Sequence, residues 1–205
     1  VRFGNAAHAQ IQLDVYGELM DAFYQSRMAK IQLEGVTWGI ERALLKHLAR
    51  IWDRTDSGIW ERRGPGRHYV FSKVMCWVAF DRGIKSVEAF DLDGPVDEWR
   101  AIRDEIHDDI CARGFDQHGN TFAESYGSHM LDASLLLLPA VGFLPMSDSR
   151  MAGTIAAIEK HLMRDGLVMR HDPRELEPHE SEPTEGAFLA CTLWLADAHV
   201  MAGNV

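Results

Sequence analysis

The chain has 205 residues, 46% of them hydrophobic and 25% charged, a composition typical of a folded globular protein. This composition excludes a collagen-like or wholly disordered chain. Acidic residues outnumber basic ones, 31 against 21, which gives a formal net charge of −10, and no run of five Lys or Arg occurs. Because such a charge repels a phosphate backbone, we expect no nucleic-acid partner.

The longest apolar run extends from Ala133 to Leu144 and is interrupted by Ser134, Pro139 and Gly142. It is shorter than the roughly 20 residues that span a bilayer, so we expect no membrane partner. The sequence begins at Val1 without a basic-then-apolar leader, which indicates that the native N-terminus has been lost or trimmed.

Three cysteines, Cys76, Cys111 and Cys191, lie far apart in apolar or helical stretches. Their odd number and spacing predict reduced, buried thiols rather than a disulfide framework, although a catalytic Cys remains an alternative. Free thiols favour a cytoplasmic location.

Helical periodicity dominates the sequence, and capping residues and glycines separate the periodic segments. The apolar stripes of the first three predicted helices fall within 11–23, 44–52 and 70–84. Four further helices are predicted at 94–114, 132–138, 148–166 and 185–201. The first is expected to end in the Gly35 region, the fourth at Gly114, the fifth at Pro139 and the sixth at Gly166.

Two loops stand out between these helices. Residues 114–128 contain Gly, Asn and alternating aromatic residues, which predicts a loop with a short strand pair. Residues 171–185 contain three prolines and six acidic residues, which predicts an exposed, disordered loop. The helices and the absence of a dividing linker indicate one all-α domain.

The segment from Asp56 to His68 is the most unusual, because it places an acid beside an indole among glycines and arginines. A carboxyl group held against an indole in a dry cleft has a raised pKa and can deliver a proton near neutral pH. On this segment alone, the simpler interpretation is that Trp60 anchors the core while Glu61 pairs with Arg63 or Arg67 at the surface.

Other polar residues carry less specific signals. Lys73, on an apolar helix, reaches either a polar cavity or the surface. Gln12 and Asp14 either line a cleft or cap a helix, and for Asp132 capping is the better interpretation. The ten histidines form no metal-binding motif, and no nucleotide-binding or Ser-hydrolase motif occurs, so we expect neither a metal nor a cofactor.

Five motifs in order along the chain carry a family resemblance. They are Gly58-Ile59-Trp60-Glu61-x-Arg63-Gly64, Ser72-Lys73-Val74-Met75-x-Trp77-Val78-Ala79-x-Asp81-Arg82, Tyr126-Gly127, Asp132-Ala133-Ser134-Leu135-Leu136-Leu137-Leu138-Pro139-x-x-Gly142-Phe143-Leu144-Pro145, and Glu185-Gly186-Ala187-Phe188-Leu189-x-Cys191. Together they resemble the bacterial branch of the family-fifteen glycoside hydrolases, the glucoamylase and α,α-trehalase group.

The resemblance implies a six-hairpin (α/α) toroid, of which residues 1–205 form part of the catalytic domain. The implied activity is removal of a terminal α-linked glucose with inversion, from trehalose or malto-oligosaccharides. Glu61 matches the family's general acid, which reverses the interpretation of this residue from its segment alone. Trp60, Arg63 and Lys73 match motif positions near the pocket and are expected to bind substrate.

Inversion also requires a general base on the other face of the sugar. Glu185 opens the last predicted helix, yet the family's base lies in a segment about one helical hairpin further downstream, which does not occur before residue 205. We therefore expect Glu185 to bind sugar hydroxyls. In place of the family's usual Gly-Gly before this Glu, the chain has Pro183-Thr184.

The resemblance implies an N-terminal β-sandwich followed by a toroid of about twelve helices. The sandwich, the first helices and the last helices are therefore expected to lie outside this chain. Exposed toroid edges would then favour self-association. Two alternatives remain open: a non-catalytic sugar-binding or inert toroid fragment, and another toroidal carbohydrate enzyme such as a phosphorylase or lyase.

Overall fold

The computed structural model describes residues 10–31, 35–171 and 186–204. The chain divides into two compact units. The first contains the residues up to Glu61 together with Pro65–Asp109, and the second contains Arg62–Gly64 and the residues from Ile110 onward. The described residues are mostly helical, in agreement with the all-α prediction.

Helices α1 (Asp14–Met28), α2 (Thr37–Leu48), α3 (Val70–Phe90) and most of α4 (Val96–Arg113) form the first unit. Every residue of α3 from 70 to 84 is buried, so this helix is the core around which the others pack. Helix α1 approaches it at Gly17, where an added Cβ would lie 2.3 Å from the Met75 carbonyl oxygen. Helix α2 approaches at Gly83, where an added Cβ would lie 2.6 Å from Leu45 Cδ1.

The second unit combines helices with two short hairpins. Its elements are β1 (Phe115–Asp116), β2 (Thr121–Phe122), a 3-10 helix (Ala133–Leu137), α5 (Ser149–Leu162), β3 (Met163–Arg164), β4 (Leu167–Val168) and α6 (Leu189–Met201). Each strand pair is antiparallel. Phe122 lies at the centre of this unit, with its ring centroid 5.2 Å from Phe115 and 6.4 Å from Phe143.

Several predicted elements are confirmed. Helix α4 begins directly after the Gly94-Pro95 pair and ends before Gly114, and the loop 114–128 contains the predicted strand pair. Asp148 caps α5, because its Oδ1 accepts a hydrogen bond of 2.9 Å from the Arg150 backbone N–H.

Three predicted helix ends and one predicted helix type are wrong. Helix α1 ends at Met28, short of the Gly35 region, and α2 ends at Leu48, before Trp52. The predicted fifth helix is a 3-10 helix, since the segment between the capping Asp132 and Pro139 is too short for a stable α-helix.

The fourth error concerns the end of the sixth predicted helix. Helix α5 ends at Leu162, and Gly166 lies instead in the turn of the β3–β4 hairpin, where φ is +50° at Asp165 and +79° at Gly166. An Asp-Gly pair with two positive φ angles is the signature of a type I′ hairpin turn, which periodicity alone does not reveal. For the seventh helix, the start predicted at Glu185 lies outside the described residues, and the observed helix begins at Leu189.

Candidate active site

The loop that carries the Trp-Glu motif is closed at its base by a short antiparallel bridge. The Asp56 backbone N–H donates to the Arg67 carbonyl at 2.9 Å, and the Arg67 N–H donates back to the Asp56 carbonyl at 3.0 Å. Gly66 makes this approach possible, because a Cβ there would lie 2.9 Å from the Asp56 carbonyl oxygen. The chain between the two bridge residues is therefore a closed surface loop.

Glu61 lies in this loop in a left-handed backbone conformation, with φ at +51°. Such a conformation is unfavourable for an L-residue with a side chain and occurs mainly where the surroundings enforce it, often at functional sites. The Glu61 N–H donates to the Gly58 carbonyl at 3.0 Å, and the Gln10 side chain donates to the Glu61 carbonyl at 3.2 Å. The backbone of the predicted acid is thus held from two sides.

The Glu61 side chain is exposed, whereas Trp60 is half-buried. The dry cleft against an indole that sequence reasoning expected for this carboxyl is not formed by the described residues. What the loop provides is a carboxyl group presented outward from a backbone that is fixed beneath it.

The start of α1 supports the loop from below. The Leu13 N–H donates to Asp56 Oδ2 at 3.1 Å, and the Ser57 N–H donates to the Ile11 carbonyl at 2.9 Å. Asp56 is buried, and this burial raises the pKa of its carboxyl group.

Asp14, in the first turn of α1, has its pKa raised to about 6, chiefly because it is removed from water and secondarily because of the charge of Asp56. Its Oδ1 atom is buried and has no hydrogen-bond partner among the described residues. Hydrogen bonds from the backbone N–H groups of Asp14 and Val15 lower this pKa, which also supports a capping role, so both interpretations of Asp14 stay open. An unpaired buried acceptor of this kind can receive a hydrogen bond from a hydroxyl group.

Lys73 extends from α3 into the same region. It is fully buried, and its ammonium group donates hydrogen bonds to the backbone carbonyls of Trp52 and Arg54. Burial lowers the pKa of Lys73. Lys73 therefore reaches neither of the places that sequence reasoning considered for it, and instead holds the segment that leads into the loop.

Residues 62–64 of the loop belong to the second unit, where Arg62 is buried and Arg63 is exposed. The Arg62 guanidinium donates to Glu124 Oε2 at 2.9 Å and lies 4.0 Å from Asp132 Oδ2. Asp132 also caps the 3-10 helix as predicted, because its Oδ1 accepts from the Ser134 N–H at 2.8 Å.

The structure thus places Trp60 and Glu61 on one loop, Lys73 beneath the chain that leads into it, and Arg63 at the loop surface. Glu185 lies outside the described residues. The sequence analysis did not predict the Arg62–Glu124 pair, because Arg62 occupies the unspecified position of its motif. The signal in the sequence was Glu124 itself, a single acidic residue in an otherwise uncharged stretch.

Among the described residues, no group of three His, Cys, Asp or Glu side chains is arranged to hold a metal ion. None of the helices in the part of the chain that the structure describes is long and apolar enough to cross a membrane.

Comparison with known proteins identifies the family. Residues 1–205 match the model of the glycosyl hydrolases family 15. The chain belongs to this family. It is 41% identical over 205 residues to the trehalase of Mycobacterium tuberculosis, covering all of this chain and 30% of that protein. It is 39% identical over 194 residues to the trehalase of Thermoplasma acidophilum, covering 95% of this chain and 33% of that protein.

Solved structures extend the comparison to the fold. A wild-type glycosidase matches all of this family-15 chain with a TM-score of 0.79 at 22% identity, over 53% of its own length. A glycosidase variant in complex with glucose matches to the same extent, with a TM-score of 0.79 at 22% identity. Family and fold together confirm the predicted fold class, part of an (α/α) toroid. The chain spans about a third of the length of the curated relatives that it matches.

Proposed function

We propose that the full-length protein carrying this chain is an inverting α-glucoside hydrolase that acts on trehalose, with Glu61 as general acid. Family 15 membership and the curated relatives named trehalase support the reaction class and the substrate. The observation that carries the assignment of the acid is the closed loop, which holds Glu61 at a positive φ and presents its carboxyl group outward. Residues 1–205 are then part of one catalytic domain.

In this mechanism, protonated Glu61 donates its proton to the glycosidic oxygen as the bond to the anomeric carbon breaks. A water molecule attacks the opposite face of the sugar, so the attacked glucose of trehalose is released as the β anomer and the leaving glucose as the α anomer. The general base that activates this water is proposed to lie C-terminal to residue 205.

The remaining site residues have supporting roles in this proposal. The half-buried Trp60 provides a face for the sugar ring, while Arg63 and Glu185 bind sugar hydroxyls. Lys73 matches a substrate-binding motif position. We propose that it supports substrate binding indirectly, by holding the backbone carbonyls of Trp52 and Arg54 in the segment that leads into the loop.

Partners and compartment complete the proposal. The substrate is an uncharged α-glucoside, with no nucleic-acid or membrane partner, and the location is cytoplasmic, which is supported by three free cysteines. Self-association is supported by large exposed apolar side chains on α1 and α6. These are Val15, Leu19, Leu189, Leu193 and Val200.

The proposal is tested by Glu61→Gln in the full-length protein, which keeps the shape of the side chain but removes its proton. We expect trehalose hydrolysis to fall by about 10²- to 10⁴-fold, the usual contribution of a positioned proton donor. The matched control is Glu88→Gln, an exposed glutamate paired with Arg100 on the surface of the first unit, which should leave the rate unchanged.

The product anomer is followed by NMR in the first minutes of the reaction. Because the leaving glucose of trehalose keeps its α configuration, equal initial amounts of α- and β-glucose support inversion, whereas initial α-glucose alone would contradict it. A rate for Glu61→Gln close to that of Glu88→Gln would refute the assignment of the acid. If the full-length wild type neither hydrolyses trehalose nor binds it in calorimetric titration, the result would favour the alternative of an inert, non-catalytic toroid.

A further inference from the structure

The residue that follows the proposed acid is Arg62, an arginine whose side chain is buried. The Arg62 side chain is 7% exposed, and its guanidinium donates to Glu124 Oε2 at 2.9 Å, while the Glu124 side chain is fully buried. A buried charge is strongly unfavourable unless it is paired, so this ion pair offsets the cost of burying both groups. Charge-assisted hydrogen bonds of this kind are among the strongest and most directional in proteins.

Both carboxylates around Arg62 are themselves fixed. Glu124 is held through its backbone N–H, which donates to the Met130 carbonyl at 2.8 Å. Asp132, whose Oδ2 lies 4.0 Å from the Arg62 guanidinium, accepts hydrogen bonds at Oδ1 from the Ser134 N–H at 2.8 Å and the Ser134 hydroxyl at 2.6 Å. Arg62 is therefore bound to carboxylates that are themselves held by hydrogen bonds within the second unit.

The backbone of Glu61 needs such support. Its positive φ is disfavoured, and a chain released at this point would relax toward a negative φ, which would turn the carboxyl group in another direction. On the N-terminal side, the hydrogen bond to the Gly58 carbonyl and the bridge at Asp56 restrain the chain. On the C-terminal side, one hydrogen bond of 3.2 Å from the Gln10 side chain reaches the Glu61 carbonyl, and the next residue, Arg62, is held by its buried ion pair.

We propose that Arg62 is a positioning residue for the general acid: its buried ion pair with Glu124, reinforced by Asp132, fixes the peptide unit after Glu61 and with it the direction of the Glu61 carboxyl group. The inference rests on the proposed role of Glu61. It is not implied by the family motif, in which the position of Arg62 is unspecified.

Arg62→Met in the full-length protein removes the charge and keeps much of the length of the side chain. We expect kcat for trehalose to fall by roughly 100-fold, the effect of misplacing a catalytic group by about 1 Å, while KM changes little. Arg62→Lys should recover part of this loss, because it retains the charge but loses the fixed geometry of the guanidinium.

A second substrate separates positioning of the acid from a general loss of structure. The nitrophenolate of 4-nitrophenyl α-glucoside leaves without full protonation, so its hydrolysis depends less on a well-placed acid. We expect its kcat to fall by no more than about tenfold in Arg62→Met. An equal loss on both substrates would indicate a merely structural role, and a raised KM with unchanged kcat would indicate direct substrate binding. Either result would overturn the proposal.

Two further variants separate loss of positioning from misfolding and from an incorrect assignment of the acid. Arg62→Met combined with Glu124→Gln removes both charges of the ion pair together, so it should fold and show a similar kcat loss. Arg100→Met, at the exposed Arg100–Glu88 pair, is the matched control and should keep kcat within about twofold. If Glu61→Gln is inactive while Arg62→Met and the double variant keep full kcat, only the positioning proposal fails. If Glu61→Gln is active, the proposed function fails first.

Discussion

Asp14→Asn is expected to stabilise this chain at neutral pH, although it removes a charge from the first turn of a helix. A carboxylate at this position normally benefits from the helix N-terminus. In this fold the opposite effect is larger, because removal from water and the nearby charge of Asp56 raise the pKa of Asp14 to about 6. The folded chain therefore disfavours the charged form that Asp14 adopts at neutral pH.

The magnitude follows from the difference between the folded and unfolded pKa values. Below the ordinary value of 3.8, Asp14 is protonated in both states and contributes no pH dependence. Between 3.8 and about 6 the folded state binds the proton more tightly, so the free energy of unfolding decreases as the pH rises. The full difference corresponds to roughly 3 kcal/mol at pH 7, or a shift of roughly 6–12 °C in Tm for a chain of this size.

The assay is thermal unfolding of the wild type and the variant at a series of pH values from 3.5 to 7.5. The difference in Tm between Asp14→Asn and the wild type should be small at pH 3.5 and grow through pH 6. Glu105→Gln, at an exposed carboxyl group on α4, is the matched control, and its Tm difference from the wild type should change far less over this pH range. A difference that is constant with pH, or that favours the wild type near pH 7, would refute the reasoning.

Two predictions concern packing and association. Gly17→Ala should lower the free energy of unfolding by at least about 2 kcal/mol, because its Cβ would lie 2.3 Å from the Met75 carbonyl oxygen. Gly39→Ala on α2 has open space around it and should raise the free energy of unfolding by up to about 1 kcal/mol. Chemical denaturation of both variants measures the two changes. In analytical ultracentrifugation, the weight-average molar mass of the isolated chain should rise with protein concentration. Leu189→Gln combined with Leu193→Gln should reduce this rise, since both leucine side chains are large, apolar and exposed. Equal destabilisation by the two alanines, or association unchanged by the two glutamines, would contradict the respective argument.

The predictable part of the fold is the part that local rules determine. The long apolar periodicity of α3 and the Asp148 cap of α5 could be read directly, because each depends on residues within a few positions of one another. The hairpin turn at Asp165-Gly166 was also available from its dipeptide, but it lay within a periodic stretch that favoured a longer helix. Local signals failed mainly where two of them competed.

The candidate site could be predicted only in its residue types. The Trp-Glu motif identified Glu61, yet its positive φ and exposed side chain result from the bridge and hydrogen bonds that close the loop. The pairing of Arg62 with Glu124 joins residues 62 positions apart, and no spacing rule indicates such a contact. The burial of Lys73 against backbone carbonyls likewise depends on how α3 packs against the chain that leads into the loop.

The unfavourable features around the loop explain why Asp14 should matter for activity as well as for stability. A positive φ at Glu61, a buried ammonium at Lys73 and a half-buried carboxyl at Asp14, whose Oδ1 has no partner among the described residues, each reduce stability. Strain of this kind is retained where function requires it. If Asp14 Oδ1 accepts a hydroxyl of the substrate, Asp14→Asn in the full-length protein should replace a charge-assisted hydrogen bond by a weaker one and lower kcat/KM by roughly tenfold or more. The same variant would then be more stable and less active at pH 7, the trade-off expected of a binding group held at a cost to the fold. Steady-state kinetics on trehalose beside the unfolding series would measure both, and a variant that is more stable with undiminished kcat/KM would show that Asp14 does not contact the substrate.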